Sequence, residues 1–411
     1  MKHRLNIAFI KIIFAVGFII LTNSAEAQKF ENLAPVPPMG WNSWNHFACD
    51  INEQTIKAVA DAMVTSGMKD AGYVYINIDD CWHGERDSLG FIHPNKERFP
   101  SGMKSLADYV HSKGLKIGIY SCAGSKTCAG YPAGRGHEYQ DAYMYAQWGI
   151  DYLKYDWCDT EGLNPVGAYT TMRDALYAAG RPIVLSICEW GDNKPWEWGA
   201  QIGHLWRTTG DIYNCFDCVI DHETWKQRGV LQILDLQDGL RKYAGPNHWN
   251  DPDMMEVGNG LTINENRAHF SMWCMIAAPL IAGNDITKMD EDVRNILINK
   301  DVIAVDQDKL GIQGFKYSAK ENVEYWFKPL ENNNWAFCIL NRNETEKKVS
   351  FDWQNENVMD EIFNLSPQFS KNEYELMDLW TKKNMGTTGR QFISKVPGKD
   401  VLMLKLTKLN K

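Results

Sequence analysis

The sequence predicts an α/β protein: a (β/α)8 barrel followed by a C-terminal antiparallel β-sandwich. Three observations carry that prediction. Between about residues 36 and 284, eight short apolar or β-branched runs each end in polar or acidic residues. Longer amphipathic stretches separate the runs, and eight strand-then-helix units in one chain fit a closed parallel barrel better than an open sheet. After about Gly314 the pattern changes to short alternating or aromatic segments divided by polar turns.

Taken in order, residues 1–27 read as a secretory signal. Lys2, His3 and Arg4 give a basic start, Ile12 to Leu21 an apolar run, and Ala25-Glu26-Ala27 a small-residue cleavage site after Ala27. The run is shorter than the roughly 20 residues of a spanning helix, so the prediction is export to a periplasm or the cell exterior. The barrel is assigned to residues 28–314. Its runs end at Trp41-Asn42-Ser43-Trp44, Ile78-Asp79-Asp80, Tyr120-Ser121, Tyr155-Asp156, Cys188-Glu189, Thr208-Thr209, Trp249-Asn250-Asp251 and Ala282-Gly283-Asn284. Helices are expected between them. Ile51 to Gly67 places Ile56, Val59, Ala60 and Met63 at helical spacing, and Ser101 to Gly114 places Leu106, Tyr109 and Val110 on one side. Residues 315–411 form the β-domain, with strands expected at Val323 to Lys328, Trp335 to Asn341, Lys348 to Trp353 and Val401 to Leu406. No low-complexity linker intervenes, so the β-domain is expected to pack directly on the barrel.

Composition narrows the function. The 411 residues carry 43 basic and 52 acidic side chains, a net charge of −9. Cleavage after Ala27 removes Lys2, Arg4, Lys11 and Glu26, leaving 40 basic and 51 acidic side chains and a net charge of −11. An acidic surface repels phosphate backbones, which argues against a nucleic-acid partner. Sixteen Trp beside 17 Tyr and 16 Phe give a rich core and, at a surface, flat apolar faces suited to hydroxylated partners such as sugars. Export makes disulfides available to the ten Cys, and spacing leaves their pairing open. Cys215-Phe216-Asp217-Cys218 is a CxxC without the second CxxC or HxxxH of a zinc site, so a local loop-closing disulfide is the preferred reading.

The chemistry-bearing residues cluster at strand ends, the carboxyl face where barrel enzymes build their sites. In Tyr152-Leu153-Lys154-Tyr155-Asp156-Trp157-Cys158, alternation turns Lys154, Asp156 and Cys158 one way and Tyr155 and Trp157 the other. The Lys154 ammonium is expected to favour an ionised Asp156, the state a nucleophile needs. Trp206-Arg207-Thr208-Thr209-Gly210-Asp211 puts Arg207 at a strand end and Asp211 in the following loop, where apolar walls can raise a carboxyl's pKa far enough for it to donate a proton. One ionised and one protonated carboxyl are the minimum for breaking a glycosidic bond. Asp79, Asp80, Glu189 and Asp253 read as hydroxyl acceptors and Trp41 as an apolar wall for a sugar's C–H face. A divalent cation is the rival for the Asp pairs, but neither pair carries a calcium-loop pattern, so no metal is assigned.

These segments together resemble glycoside hydrolase family 27, the α-galactosidase or melibiase family, from Pro37-Pro38-Met39-Gly40-Trp41-Asn42-Ser43-Trp44 to about Asp306-Gln307-Asp308. The other marks are Ile78-Asp79-Asp80-Cys81-Trp82, Gly118-Ile119-Tyr120, Lys126-Thr127-Cys128-Ala129-Gly130, Tyr152-Leu153-Lys154-Tyr155-Asp156, Cys188-Glu189-Trp190-Gly191 and Trp249-Asn250-Asp251-Pro252-Asp253-Met254. The resemblance implies an exo-acting, retaining α-galactosidase that needs no cofactor, with Asp156 as nucleophile and Asp211 as acid/base. It implies a galactose site lined by Trp41, Asp79, Asp80, Tyr120, Cys128, Lys154, Glu189, Arg207 and Asp253, with Asp79 and Asp80 on the 4- and 6-hydroxyls and Arg207 near the 2-hydroxyl. It also implies disulfides Cys49–Cys81 and Cys128–Cys158.

Glu189, where related α-N-acetylgalactosaminidases carry Ser, favours galactose over its N-acetyl form, and Asp79-Asp80 argue against a β-L-arabinopyranosidase. An isomaltodextran-cleaving relative and a non-catalytic galactose-binding protein are the remaining alternatives; the latter should lack one of the two acids, and neither is missing. Two departures from the family stand out. After Asp211-Ile212 the family continues with another Asp and then Trp, whereas here Tyr213 to Cys218 intervenes and the matching Trp is Trp225, with Asp217 a competitor for the acid role. Gly203 stands where animal members pair a second Cys with the one before the Glu, so Cys188 is expected as a free buried thiol.

Overall fold

The computed structural model describes residues 29–409. The segment read as a secretory signal lies outside the described residues. Eight parallel strands run in chain order around one sheet: β1 Met39–Asn42, β2 Tyr75–Asn77, β3 Lys116–Cys122, β4 Tyr152–Asp156, β5 Val184–Ile187, β6 Leu205–Arg207, β7 Trp249–Asp251 and β8 Leu280–Ala282. β1 pairs with both β2 and β8, in the registers Trp41↔Ile76 and Trp41↔Ala282. The curled sheet meets itself between β7 and β8. There the chain just past β7 bridges across, Met255 N–H donating to Ile281 O (2.7 Å) and Gly283 N–H to Met255 O (3.0 Å). All-parallel strands buried on both faces read as short continuous apolar runs, and strands such as β1, β5 and β6 are buried at every position.

The helices follow from local chemistry. α1 (Glu53–Thr65) starts at Asn52, whose side chain accepts from the N–H groups of Gln54 and Thr55, and it buries Ile56, Val59, Ala60 and Met63. α2 (Gly102–Ser112) buries Leu106 and Val110. α3 (Glu138–Trp148) and α4 (Pro165–Ala178) complete the next two units, α4 with an Asn164 cap and Pro165 in its first turn. The fifth unit has two 3-10 turns, Pro195–Glu197 and Gly199–Gln201, instead of an α-helix, and the sixth only α5 (Val230–Asp235). The cause is crowding against the sheet. A Cβ at Gly199 would sit 2.8 Å from the Trp206 ring, and one at Gly203 2.9 Å from the Ile187 side chain, so the chain runs too close for a regular helix. α6 (Ile263–Met275) opens with a Thr262/Glu265 capping box and is buried from Glu265 to Met275 except at Arg267. α7 (Glu291–Leu297) and α8 (Lys300–Asp306) end the barrel.

The C-terminal domain is antiparallel. Its larger sheet, in the order β9-β10-β11-β16-β13-β14, comprises β9 Phe315–Lys320, β10 Val323–Leu330, β11 Asn334–Asn341, β13 Tyr374–Asp378, β14 Asn384–Thr387 and β16 Asp400–Lys408. β12 Lys347–Phe351 pairs with β15 Phe392–Val396 to make the second sheet. Rings fill the space between them, with centroids of Phe337 and Phe351 5.1 Å apart and of Phe351 and Trp353 4.7 Å apart. Strands β9, β13, β14 and β15 go beyond the four segments expected from sequence; bulges interrupt the β9–β10 and β13–β14 pairings. The two domains share a core: Trp326, Cys338, Val401 and Met403 of the sandwich pack in the same apolar cluster as Met272 and Trp273 of α6. Two helix faces are therefore covered on α6, one by the barrel and one by the β-sheet. No helix among the described residues is long and apolar enough to cross a membrane.

Candidate active site

At the carboxyl ends of the strands lies a cavity of about 60 Å³. Asp156 closes β4 and Asp211 follows β6 on a loop; both line this cavity, together with Asp79, Asp80, Tyr120, Cys128, Lys154, Arg207 and Asp253. Strand alternation accounts for β4: Lys154 and Asp156 face the cavity, while Tyr155 is buried in the outer core against Tyr169. Residues separated by up to 174 positions thus converge because every strand delivers its last side chains to one rim.

The charges are organised as pairs. Lys154 Nζ donates to Asp79 Oδ2 (2.9 Å), which also accepts from Asn42 Nδ2 (2.7 Å). Asp80 accepts from Cys81 N–H (2.7 Å) and Ala129 N–H (2.9 Å). Arg207, itself buried, places Nη2 2.8 Å from Asp253 Oδ2 and 3.0 Å from Asp211 Oδ1. The expected pull of Lys154 toward an ionised Asp156 is present, but it is not the largest influence. The lysine is committed to Asp79, and burial pushes the Asp156 carboxyl up to about 6, against the pull of Lys154 and with a further push from Asp211. Lys154 does favour the ionised acid, but desolvation outweighs it. Burial works against the Lys154 ammonium too, yet Asp79 and neighbouring negative groups hold its pKa well above the ordinary value. Burial likewise raises Asp253, opposed by Arg207.

The two acids occupy different surroundings. Asp156 is 5% exposed and accepts from the Trp157 N–H (2.9 Å). The Asp211 side chain is 40% exposed on its loop. Three non-glycine residues at or beside the site sit in the left-handed region, Cys81 (φ +76°), Trp190 (φ +60°) and Asp253 (φ +93°), each at a conformational cost.

Two expected residues are placed elsewhere. Trp41 is not on the wall. It is fully buried, its indole N–H donating to Asn284 O (2.7 Å), because β1 turns that side chain into the core beside Phe47. Glu189 is also sealed from solvent, held by the Asn193 N–H and Nδ2 at 2.7 Å each, with Oε1 unpartnered and its pKa raised to about 7 by burial. The apolar walls are Trp44, Trp190 and Met254. Each stands within three residues of an expected one, in the motifs Trp41-Asn42-Ser43-Trp44, Glu189-Trp190 and Asp253-Met254, so the motifs pointed to the neighbourhood and only the turn geometry to the residue.

Disulfides join Cys49 to Cys81, Cys128 to Cys158 and Cys215 to Cys218. The first anchors the turn that carries Asp79 and Asp80, and the second lies at the cavity rim, where the Tyr120 hydroxyl donates to Cys128 Sγ (3.2 Å). Cys122, Cys188, Cys274 and Cys338 are free and buried. Asp217 accepts from Gln232 inside the Cys215–Cys218 loop and does not line the cavity. Trp225 lies on the hairpin Val219–Asp221/Lys226–Arg228, stacked on His222 with centroids 4.2 Å apart. Among the described residues no cluster of three or more His, Cys, Asp or Glu side chains is arranged to hold a metal ion.

Comparison with known proteins matches this arrangement. Residues 36–308 fit the family described as "Alpha galactosidase A", and residues 320–406 the "Alpha galactosidase C-terminal beta sandwich domain". The chain is 57% identical over 392 residues to alpha-galactosidase A of Cellvibrio japonicus, covering 95% of this chain and 97% of that one. It is 48% identical over 341 residues to the alpha-galactosidase of Cyamopsis tetragonoloba, covering 80% of each. Among solved structures, α-galactosidase I from Mortierella vinacea superposes with a TM-score of 0.85 at 36% identity, covering 91% of this chain and 98% of that one. The two family matches together span nearly the whole described length, and the chain belongs to glycoside hydrolase family 27, the α-galactosidase family.

Proposed function

We propose that this glycoside hydrolase releases terminal α-linked galactose with retention of configuration, Asp156 acting as nucleophile and Asp211 as acid/base. The observation that carries the reading is the meeting of these two carboxyls on one cavity in unlike surroundings, one buried beside Lys154 and the other half-exposed on a loop. In the first step Asp156 forms a bond to the anomeric carbon as the glycosidic C–O bond breaks and Asp211 protonates the departing oxygen. In the second step Asp211 takes a proton from water, which attacks the same carbon and frees Asp156, giving an α-configured product by double displacement. Burial of Asp156 serves this chemistry, since an ion held in a dry site gains more from Lys154 and less from water.

Sugar recognition fits the charged floor. Asp79, held by Lys154 and Asn42, and Asp80, held by backbone N–H groups, present fixed acceptors to a diol, and the Arg207–Asp253 pair offers a donor and an acceptor side by side. Glu189, locked by Asn193, occupies volume that a smaller side chain would leave for an acetamide, which supports galactose over its N-acetyl form. Three disulfides support an exported protein, because such bonds persist in oxidising compartments.

The test is a panel of aryl glycosides with the product anomer followed by proton NMR. The expected first-formed product on p-nitrophenyl α-galactoside is α-galactose. Asp156→Asn and Asp211→Asn should each lose turnover by at least about a thousandfold with unchanged circular dichroism, the range for removing a group that reacts directly. Near-normal turnover in either variant, or β-galactose as first product, rejects the assignment.

A further inference from the structure

We propose that Glu256, a positioning residue outside the cavity, decides which end of the Asn45 carboxamide faces the galactose site. A proton on Glu256 gives the site a hydrogen-bond donor, and loss of that proton gives it an acceptor. The inference rests on the α-galactosidase reading and adds a control on sugar affinity that neither reacting acid supplies.

Glu256 follows β7 on the segment that bridges to β8. It is 2% exposed and does not line the cavity. Its backbone N–H donates to His269 Nε2 of α6 (3.0 Å). Each carboxylate oxygen takes one amide: Oε1 accepts from Asn45 Nδ2, and Oε2 accepts from Asn259 Nδ2 (2.7 Å). Asn45, half-buried in the turn after β1, lines the cavity as its neighbour Trp44 does.

The two amides are not equivalent. Asn259 Nδ2 also donates to Gly283 O (3.1 Å), and a carbonyl only accepts, so that nitrogen is fixed in place. Asn45 makes no second side-chain hydrogen bond among the described residues. While Glu256 is ionised both its oxygens accept, so Asn45 turns its NH2 inward and keeps its oxygen for the cavity. A proton on Glu256 cannot point at the fixed Asn259 nitrogen and must sit on Oε1. Asn45 then accepts it by exchanging its oxygen and nitrogen, which are nearly the same size, and the NH2 is left for the cavity.

The surroundings of Glu256 set where this happens. Burial pushes its carboxyl up to about 7, opposed by the two amides and helped by Asp253 on the same segment. Burial holds His269 neutral, its pKa lowered to about 3. His46, next to Asn45, and Lys288 both pair with Asp285, at 3.9 and 3.1 Å.

The cavity is short of donors. Five Asp carboxyls line it against one Lys and one Arg, and both cations already donate to those carboxyls. A sugar hydroxyl has one hydrogen and two lone pairs. Once the hydrogen goes to a carboxylate, the oxygen is satisfied only by a donor. The NH2 of a turned Asn45 is such a donor, so galactose should bind more tightly when Glu256 is protonated.

The experiment measures Ki for free galactose against an aryl α-galactoside from about pH 5 to about pH 9. Glu256→Gln must offer its oxygen to Asn259 and its NH2 to Asn45, which fixes the turned amide at every pH. Wild type and Glu256→Gln should agree below about pH 6, and above about pH 8 the variant should bind galactose about three- to tenfold more tightly, the contribution of one hydrogen bond. On an Asn45→Ala background the same substitution should leave Ki unmoved, and Asn45→Ala alone should lose the step in Ki near pH 7. A ratio of one at every pH, weaker binding by Glu256→Gln throughout, or an effect that survives Asn45→Ala overturns the proposal. If Glu256→Gln does not fold, wild type against Asn45→Ala decides, and a step present in both or in neither overturns it as well. Wild-type protein that fails to cleave the aryl α-galactoside overturns the α-galactosidase reading itself, whereas normal cleavage with a flat ratio removes only the Asn45 switch.

Discussion

At the scale of single residues, Asp156, the proposed nucleophile, sits where ionisation is hard. Its pKa of about 6 reflects burial first, then relief from Lys154 and repulsion from Asp211, and the reaction needs it ionised. The sign follows directly: below about pH 6 the free enzyme carries a protonated nucleophile, so kcat/KM should fall towards tenfold per pH unit on the acid side. Because Lys154 pulls this pKa down, Lys154→Met should move the acid limb upward by a measurable fraction of a pH unit, besides weakening binding through the loss of the Asp79 partner. A pH profile of kcat/KM on an aryl galactoside reads both, and an acid limb near pH 4 in the wild type would contradict the burial argument. The sequence made Lys154 and Asp156 legible as a pair on one strand face. It did not show that the ammonium would be spent on Asp79, 75 residues away, because that contact reaches across the barrel mouth from the end of β4 to the end of β2, with β3 between them. Trp41 and Trp44 differ in the same way: both stand in one motif, and only the turn after β1 decides that the first is core and the second wall.

At the scale of elements, the barrel was readable because each buried parallel strand is a short apolar run with its polar residues at one end. Boundaries shifted by a residue or two, as in α1, expected at Ile51 to Gly67 and found at Glu53–Thr65. The fifth unit escaped prediction because its lack of an α-helix comes from contact with Trp206 and Ile187, a tertiary cause with no local periodicity. Gly118 in β3 shows how closely the interior is filled. A methyl group there would stand 1.9 Å from Asn77 Oδ1 and 3.1 Å from Tyr152 Cβ, both in the layer directly beneath Lys154 and Arg207. Its backbone is ordinary strand, so the requirement is for space rather than for a special dihedral. Gly118→Ala should therefore cost about 1–3 kcal/mol of stability through overpacking, and by displacing Asn77 it should also lower kcat/KM. Urea unfolding with parallel kinetics tests this; a variant as stable and as active as wild type would mean the layer has slack that the packing does not show.

At the scale of the whole molecule, the β-domain is a structural partner of the barrel rather than an appendage. Sequence showed both halves and the absence of a linker, but the shared core depends on residues whose local pattern says little. Lys328 reads as an ordinary polar position in a strand, yet it is buried and donates to Cys274 O (3.0 Å) at the end of α6. Arg241 and Asp360, 119 positions apart, form a buried two-pronged pair at 2.7 and 2.6 Å, and the same guanidinium donates twice to Gln313 O. Arg241 also precedes β7 on the segment that packs Asn250, which donates to Leu240 O (2.9 Å) and to Gln313 Oε1 (3.1 Å). The contact thus reaches from the sandwich through Gln313 to the strand that carries Asp251 and, just beyond it, Asp253. Removing one partner of a buried pair leaves the other charge unpaired in a dry place, at a cost of about 3–5 kcal/mol. Asp360→Ala should lose that much in urea unfolding, whereas a substitution at the exposed Lys395–Glu346 pair of the same domain should cost under about 1 kcal/mol. If the interface acts on the site, Asp360→Ala should also lower kcat/KM on an aryl α-galactoside below the unfolding transition, because Asp253 lines the cavity. A loss of stability confined to a separate β-domain transition, with kinetics untouched, would instead make the domain an independent unit that merely rests on the barrel.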